Sequence, residues 1–236
     1  MFRKVQLLLT GWPDKPLGLL EAHLASEGQR IRELMPDGGS HRRLFRLAND
    51  PTRQVAHGDE MAAAEPPFDA VFEVGAEDAD LAVIAAAVKD VAGRLGEWVD
   101  PSRSAAIAGT EHVIVPGNQP LELVFALRRL PTLTSQQFHD HWLNEHAEIA
   151  RRVPGLRGYR QFHAEAAASA DAAASAGLAG CDFEGTAEGF FENRDAFLQT
   201  MAQPAVTADA LADERTFIDH ARSVIGLYRV AWDAAV

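Results

Sequence analysis

The sequence predicts an α+β protein made of two tandem ferredoxin-like βαββαβ units, and two observations predict it. One is an internal repeat. At an offset of 118 residues, half of the 236, Pro13 falls on Pro131, Ile31 on Ile149, Pro36 on Pro154 and Arg42 on Arg160. Laying Lys4–Phe45 on Glu122–His163 without a gap gives seven identities, where unrelated sequences of this composition give roughly two or three. The other is the order of hydrophobic patterns, which in each half runs strand, helix, strand, strand, helix, strand. Such a unit is a four-stranded antiparallel sheet with both helices on one face, so its other face needs cover. Two sheets packed face to face within the chain supply it, with an enclosed space between sheet and helix, or between sheets, for a small ligand. Simple sandwiches without a site fit the same pattern.

In the first unit, residues 1–115, Lys4–Leu9 reads as a strand stopped by Gly11, Trp12 and Pro13. Pro16 suits a first helical turn, and Leu17, Leu20, Leu24, Ile31 and Leu34 form one apolar stripe ending near Pro36 and Gly38-Gly39. Arg43–Leu47 is a short strand. A polar stretch with Asn49, Pro51 and Gly58 and an Ala/Glu/Pro-rich connection then lead to Pro67. Phe68–Val74 resumes strand character, Asp78–Leu95 is an Ala-rich helix, and Ile107–Val115 closes the unit. Residues 116–120 read as the linker.

The second unit, residues 121–236, opens with a strand over Leu121–Arg129. Thr134, with Gln137 three residues on, forms a capping box for a helix that Pro154-Gly155 stops. Leu156–His163 and Thr186–Glu192 read as the middle strands. Between them, residues 164–180 are almost all Ala, Ser, Gly and Asp, which bury little and read as a mobile surface loop or a marginal helix. Asp195–Met201 and Ala208–Ile218 are helical, interrupted by Pro204, and Ser223–Trp232 is the closing strand, with an edge that leaves a homodimer open.

Twenty-two basic against 34 acidic residues give a net charge of -12. That opposes phosphate neutralisation and argues against nucleic acid and anionic membrane as partners. No segment approaches the ~20 apolar residues of a membrane span, and the apolar stretch Val5–Leu9 is too short for a secretion signal. Cys181 is the only cysteine, so neither a disulfide nor a cysteine-held metal is available. The expectation is a soluble cytoplasmic protein with a small-molecule ligand.

The helix from Thr134 to Val153 carries the most chemistry. Phe138, Trp142, Ile149 and Val153 fall within one arc at about 100° per residue, His146 lies inside that arc, and His139 is near its edge. An imidazole on an apolar face suits general acid or base work, or is a core histidine satisfied by one carbonyl. His141, Glu145 and Glu148 project to the opposite side and read as solvated. His141 and Glu145 are able to share an ion, but His23 and Glu27 repeat the pair in the first unit, so no metal site is expected. Tyr159, Gln161 and His163 share one face of the next strand. If that face meets a cavity, Tyr159 donates to a substrate oxygen and His163 is a second base; otherwise they are surface residues. Arg128, Arg129 and Arg160 are able to pair with a carboxylate ligand or with Glu122 or Glu188. No phosphate-binding glycine loop, dinucleotide fingerprint or nucleophile elbow occurs. Leu20, Leu24 and Gly28 stand where the second unit has Phe138, Trp142 and His146, so the chemistry is expected in the second unit.

That unit resembles the EthD-domain proteins of the dimeric α+β-barrel superfamily. The resemblance rests on Leu127-Arg128-Arg129-Leu130-Pro131 with Thr134 and Phe138, on Trp142 with His146-Ala147, and on Pro154-Gly155-Leu156 with Tyr159 and Gln161. It continues through Gly185-Thr186-Ala187-Glu188 with Phe191 and through Ala212-Asp213-Glu214 with Phe217 and Asp219. It implies that the two sheets form a barrel within the chain, with a pocket between sheet and helices. It carries the family histidine to His146, its aromatic partner to Trp142, the strand tyrosine to Tyr159 and the acidic motif to Asp213 and Asp219. The expected activity is a lyase, decarboxylase or isomerase without cofactor, acting on a small aromatic or polyketide-like carbonyl compound. His146, Tyr159 and His163 are its candidate catalytic residues. Phe138, Trp142, Gln161, Arg128, Asp213 and Asp219 are its candidate binding residues, and Phe162 a further pocket wall. A non-catalytic binding or assembly protein and a haem-binding or haem-degrading protein are the alternatives. The 164–180 insertion lids the pocket or does nothing.

Overall fold

Eight strands close into one barrel in the computed structural model, which describes residues 1–35, 39–55, 61 and 67–231. The first half runs β1 (Phe2–Leu9), α1 (Leu17–Leu34), β2 (Ser40–Arg46), α2 (Thr52–Val55), β3 (Ala70–Glu77), α3 (Leu81–Ala87), α4 (Val91–Arg94) and β4 (Ala105–Val115). The second runs β5 (Leu121–Leu127), α5 (Ser135–His141), a π-helical turn (Trp142–His146), α6 (Ala147–Ala150) and β6 (Tyr159–Ala164). It continues with α7 (Ala166–Ala176), β7 (Gly185–Phe191), α8 (Arg194–Met201), α9 (Pro204–Glu214) and β8 (Val224–Ala231). The expected helix stop at Pro36 and Gly38, most of the connection before Pro67 and the end of the closing strand at Trp232 lie outside the described residues.

The strand order is β1-β3-β2-β8-β5-β7-β6-β4, all pairs antiparallel, and the β1–β4 pair closes the ring. The halves meet at β2–β8 and β4–β6. Strand β8 is therefore hydrogen-bonded on both sides, by β2 and β5. It offers no free edge for the strand-to-strand homodimer its sequence left open.

Alternation along each strand divides the side chains between a lumen and an outer face. On β1, Val5, Leu7 and Leu9 pack outward against Leu20, Leu24 and Ile31 of α1 and Ile84 of α3. Leu8 points the other way and joins Leu44, Val71, Ile107, Val124 and Phe162 in an apolar plug drawn from both halves. Phe162 thus fills the lumen and walls no pocket on the outer face. The rest of the lumen is polar. Lys4 Nζ lies 2.6 Å from Glu188, 2.9 Å from Glu73 and 3.0 Å from Glu111. Arg42 bridges Glu73 and Glu122, and Gln6 and Thr186 hydrogen-bond to Glu188. Oxygens of Glu73, Glu122 and Glu188 lie within 4.8 Å of one another, a spacing that suits a metal ion, but the Lys4 ammonium supplies the cation.

Two elements depart from the sequence reading. The helix expected over Asp78–Leu95 breaks at Asp90, whose φ of 55° is left-handed, into α3 and α4. The Ala-rich segment is an ordered helix, α7, with Ser169, Ala172, Ala173 and Ala176 buried. Alanine has the highest helix propensity, and its small side chain lets the helix lie close on β4, where Ser169 Oγ accepts the Ala108 N–H at 3.0 Å. Gly177, at φ 75°, ends it. The helix covers the first half's outer face together with α3, so it neither lids a second-half cavity nor moves as a loop.

In the lumen four carboxylates meet three cations, Lys4, Arg42 and Arg160. Burial, against Arg42 and reinforced by Glu73 and Glu188, pushes the Glu122 carboxyl up to about 8. Burial likewise raises Glu188, to about 7, against Lys4. Burial also opposes charge on Glu73, but Lys4 and Arg42 outweigh it and hold that carboxyl far below its ordinary value. Acids whose folded pKa exceeds the unfolded one bind protons preferentially in the fold, so their contribution is full at low pH and is lost as pH rises through the folded value. Stability measured by urea unfolding should therefore fall from about pH 5 to about pH 9, and Glu122→Gln should flatten much of that fall. A variant with the wild-type slope would show that Glu122 takes up no proton on folding.

Candidate active site

The site is organised by an interruption in one helix. Thr134 caps α5 with the expected capping box, its hydroxyl accepting the Gln137 N–H while the Gln137 side chain accepts the Thr134 N–H. One turn later the hydrogen-bond ladder slips. Ala147 N–H reaches the Trp142 carbonyl five residues back, and the Gln161 amide of β6 donates to the same carbonyl at 2.7 Å. Asn144 takes the Asp140 carbonyl at 2.8 Å. Side-chain amides inserted into the ladder are an ordinary cause of a π turn. In an α-helix, residues five apart point about 140° from each other. The wider turn instead brings His141 and His146 onto one carboxylate.

That carboxylate is Asp213, near the end of α9. Its Oδ2 accepts from His146 Nδ1 at 2.8 Å and its Oδ1 from His141 Nε2 at 2.9 Å. Partial burial opposes its charge, but the hydrogen bonds from His146 and His141 hold it below the usual carboxylate range. With Nδ1 committed to Asp213, His146 carries its lone pair on Nε2. His141, expected to be solvated, is thus tied to Asp213 because the π turn rotates it inward; Glu145 and Glu148 do remain exposed.

His146 opens onto a cavity of about 320 Å3 between the outer face of β5, β6 and β7 and the helices α6 and α9. Its walls are apolar, Leu123, Phe125 and Ile149 among them, and its polar atoms come from Trp142, His146, Tyr159 and Glu214. The Tyr159 hydroxyl accepts from Trp142 Nε1 at 3.2 Å. Burial pushes the phenol above its ordinary value, which keeps it a proton donor. Glu214 pairs with His220 at 3.0 Å. It sits beside Asp213 in the family-like motif, yet only the three-dimensional packing reveals that it reaches the cavity.

The other sequence candidates lie around the site. Gln161 is behind the wall, on the Trp142 carbonyl. His163 is stacked flat on Trp142, ring centroids 4.6 Å apart, with the His139 ring also 4.6 Å and the His112 ring 4.5 Å from it, and donates to Gln161. Burial, with His139 and His112 beside it, pushes its pKa down to about 2, so it is a neutral brace outside the cavity lining. Phe138 is a core residue against Trp142 and Phe217. Arg128 pairs with Asp182, Asp219 lies 3.8 Å from Arg222, Arg129 pairs with Glu184 and Arg160 with Glu111. None of these arginines, and not Asp219, lines the cavity.

Among the described residues, the first half has no counterpart of His146. His41 takes the register of Tyr159, and a Cβ at Gly28, where His146 would stand, would meet His41 Nε2 at 2.4 Å. The imidazole occupies the space.

Residues 130–221, which bear the helix, the histidines and Asp213, match the EthD domain. The match lies within the second half of the chain. An anthrone oxidase-like protein superposes with a TM-score of 0.59 at 12% identity, over 98% of this chain and 91% of its own. A chlorite dismutase from Candidatus Nitrospira defluvii, in a mutant form, superposes with a TM-score of 0.53 at 12% identity, over 96% and 91%. These likenesses show the fold. No curated protein matches the sequence significantly.

The cavity does not fit haem. His146 would offer iron a nitrogen, but the described lining holds no arginine or lysine to pair with propionates, and about 320 Å3 is at the small end of ligand cavities. Titration with haem should give no saturable one-to-one Soret shift. A saturable shift abolished by His146→Ala would overturn this.

Proposed function

We propose that the chain is a cofactor-independent enzyme that moves a proton at carbon next to a carbonyl, in the manner of an isomerase or lyase, on a small apolar compound. The Asp213–His146 pair at the wall of an apolar cavity carries this reading. His146 Nε2 takes the proton as the C–H bond breaks. The electron pair moves into the carbonyl as an enolate, and the Tyr159 hydroxyl stabilises the developing oxyanion. Asp213 holds the tautomer and stabilises the imidazolium, as a carboxylate partner does in hydrolytic triads. The proton then returns to carbon, either the same one or its neighbour. Glu214 gives the cavity one anionic acceptor, which favours a substrate bearing a hydroxyl as well as a carbonyl.

The low dielectric of the cavity strengthens each of these interactions. It also selects against charged substrates, because the described lining contains no cationic side chain to receive them.

The probe is 2-tetralone, a small aryl ketone with acidic C–H bonds. The protein should accelerate exchange of those hydrogens in heavy water, followed by proton NMR, and His146→Ala should lower the rate about 100-fold or more while leaving the circular dichroism unchanged. Tyr159→Phe should cost roughly tenfold to 100-fold. Undiminished exchange in folded His146→Ala would exclude the base, and binding without exchange would mark a carrier.

A further inference from the structure

One carboxylate separates two chambers. On one side of Asp213, His146 faces the apolar cavity. On the other, His141 lines an open surface cleft of about 360 Å3 with Gln137, Asp140, Asn144 and Glu145. The Phe217 ring lies against both imidazoles, its centroid 4.7 Å from His141 and 5.4 Å from His146, and screens the carboxylate between them. We propose that His141 is a positioning residue for His146, acting through Asp213 and addressed from the cleft. This rests on the reading of His146 as the base.

Two consequences follow from geometry. A carboxylate held at one oxygen still turns about its Cβ–Cγ bond; with His141 on Oδ1, Oδ2 is fixed toward His146 Nδ1. Partners in this outer layer orient the reacting group and set its basicity. The second consequence is electrostatic. Asp213 has one negative charge for two imidazoles. When solvent protonates His141, that charge is shared, and a second proton on His146 is disfavoured by the cation beyond the carboxylate.

The charged groups around the pair support this order of protonation. His141 faces Asp213, has Glu145 Oε2 3.4 Å from its Nδ1, and shares the cleft with Asp140. All three favour the cation there. His146 faces Asp213 and, across the cavity, Glu214, whose carboxylate is engaged by His220.

Three substitutions test this. His141→Gln keeps an N–H for Oδ1 but carries no charge, His141→Leu removes both, and Glu145→Gln, at a side chain 70% exposed, removes only the anion beside His141. Ring resonances of His146 followed by NMR need no substrate. In His141→Gln they should titrate about half a pH unit or more above wild type, and in Glu145→Gln by less in the same direction. With 2-tetralone, His141→Gln should keep exchange within about threefold at about pH 8 with its acid limb moved to higher pH, while His141→Leu should lower kcat about tenfold with little change in KM. Coincident His146 titrations in wild type, His141→Gln and Glu145→Gln would overturn the proposal. Absence of wild-type exchange would instead sink the catalytic reading, and the ring titration would still decide the role of His141.

Discussion

The architecture hangs on Lys4. Its ammonium sits in the lumen among Glu73 of β3, Glu111 of β4 and Glu188 of β7, so one side chain ties both halves. Burial alone would lower its pKa, yet the three carboxylates raise it well above the ordinary lysine value. A buried charge is tolerable only with partners in place, and removing one member of such a set typically costs about 3–5 kcal/mol. The network thus acts as a register lock. A one-residue slip of any of these strands would turn its charged group out of the lumen and strand the others without partners. The lumen is thus held by ion pairs at one end and by Phe162 and its neighbours at the other, and the apolar cavity lies on the outer face, under the helices.

The periodic parts of this arrangement were legible in the sequence. Strand alternation, the stripe of α1, the capping box at Thr134 and Gln137, and the 118-residue offset led to two βαββαβ units with their sheets packed face to face, because these features are local and repeat, and the family resemblance supplied the barrel. His146 stood out for the same reason, as a polar residue on an apolar arc. Trp142 and Tyr159 came with the family resemblance and with strand phase, and both reach the cavity.

What was not legible depends on contacts distant in sequence. The Ala-rich stretch looked too poor in apolar area to order itself, yet against the flat outer face of β4 small side chains are what permit close approach. His163 alternates in phase with Tyr159, but the rings of Trp142, His139 and His112 pack around it, which periodicity cannot report. His141 was assigned to solvent on a uniform helical period. The assignment failed because Gln161, on a strand beyond the helix, bonds the Trp142 carbonyl and accompanies a local change of pitch. Glu214 was visible as part of a motif, but its reach into the cavity depends on how α9 docks.

The closed first half has a further meaning. Gly28 leaves room for the His41 ring, and that ring takes the place where a second cavity would lie. Barrels assembled from two identical subunits carry paired, equivalent pockets that can influence each other. Here, among the described residues, His41 takes the place that would match the His146 cavity, so ligand uptake at that cavity should follow a simple hyperbola at one equivalent per polypeptide. Freed from that duty, the first half is at liberty to diverge so long as it preserves its share of the lumen.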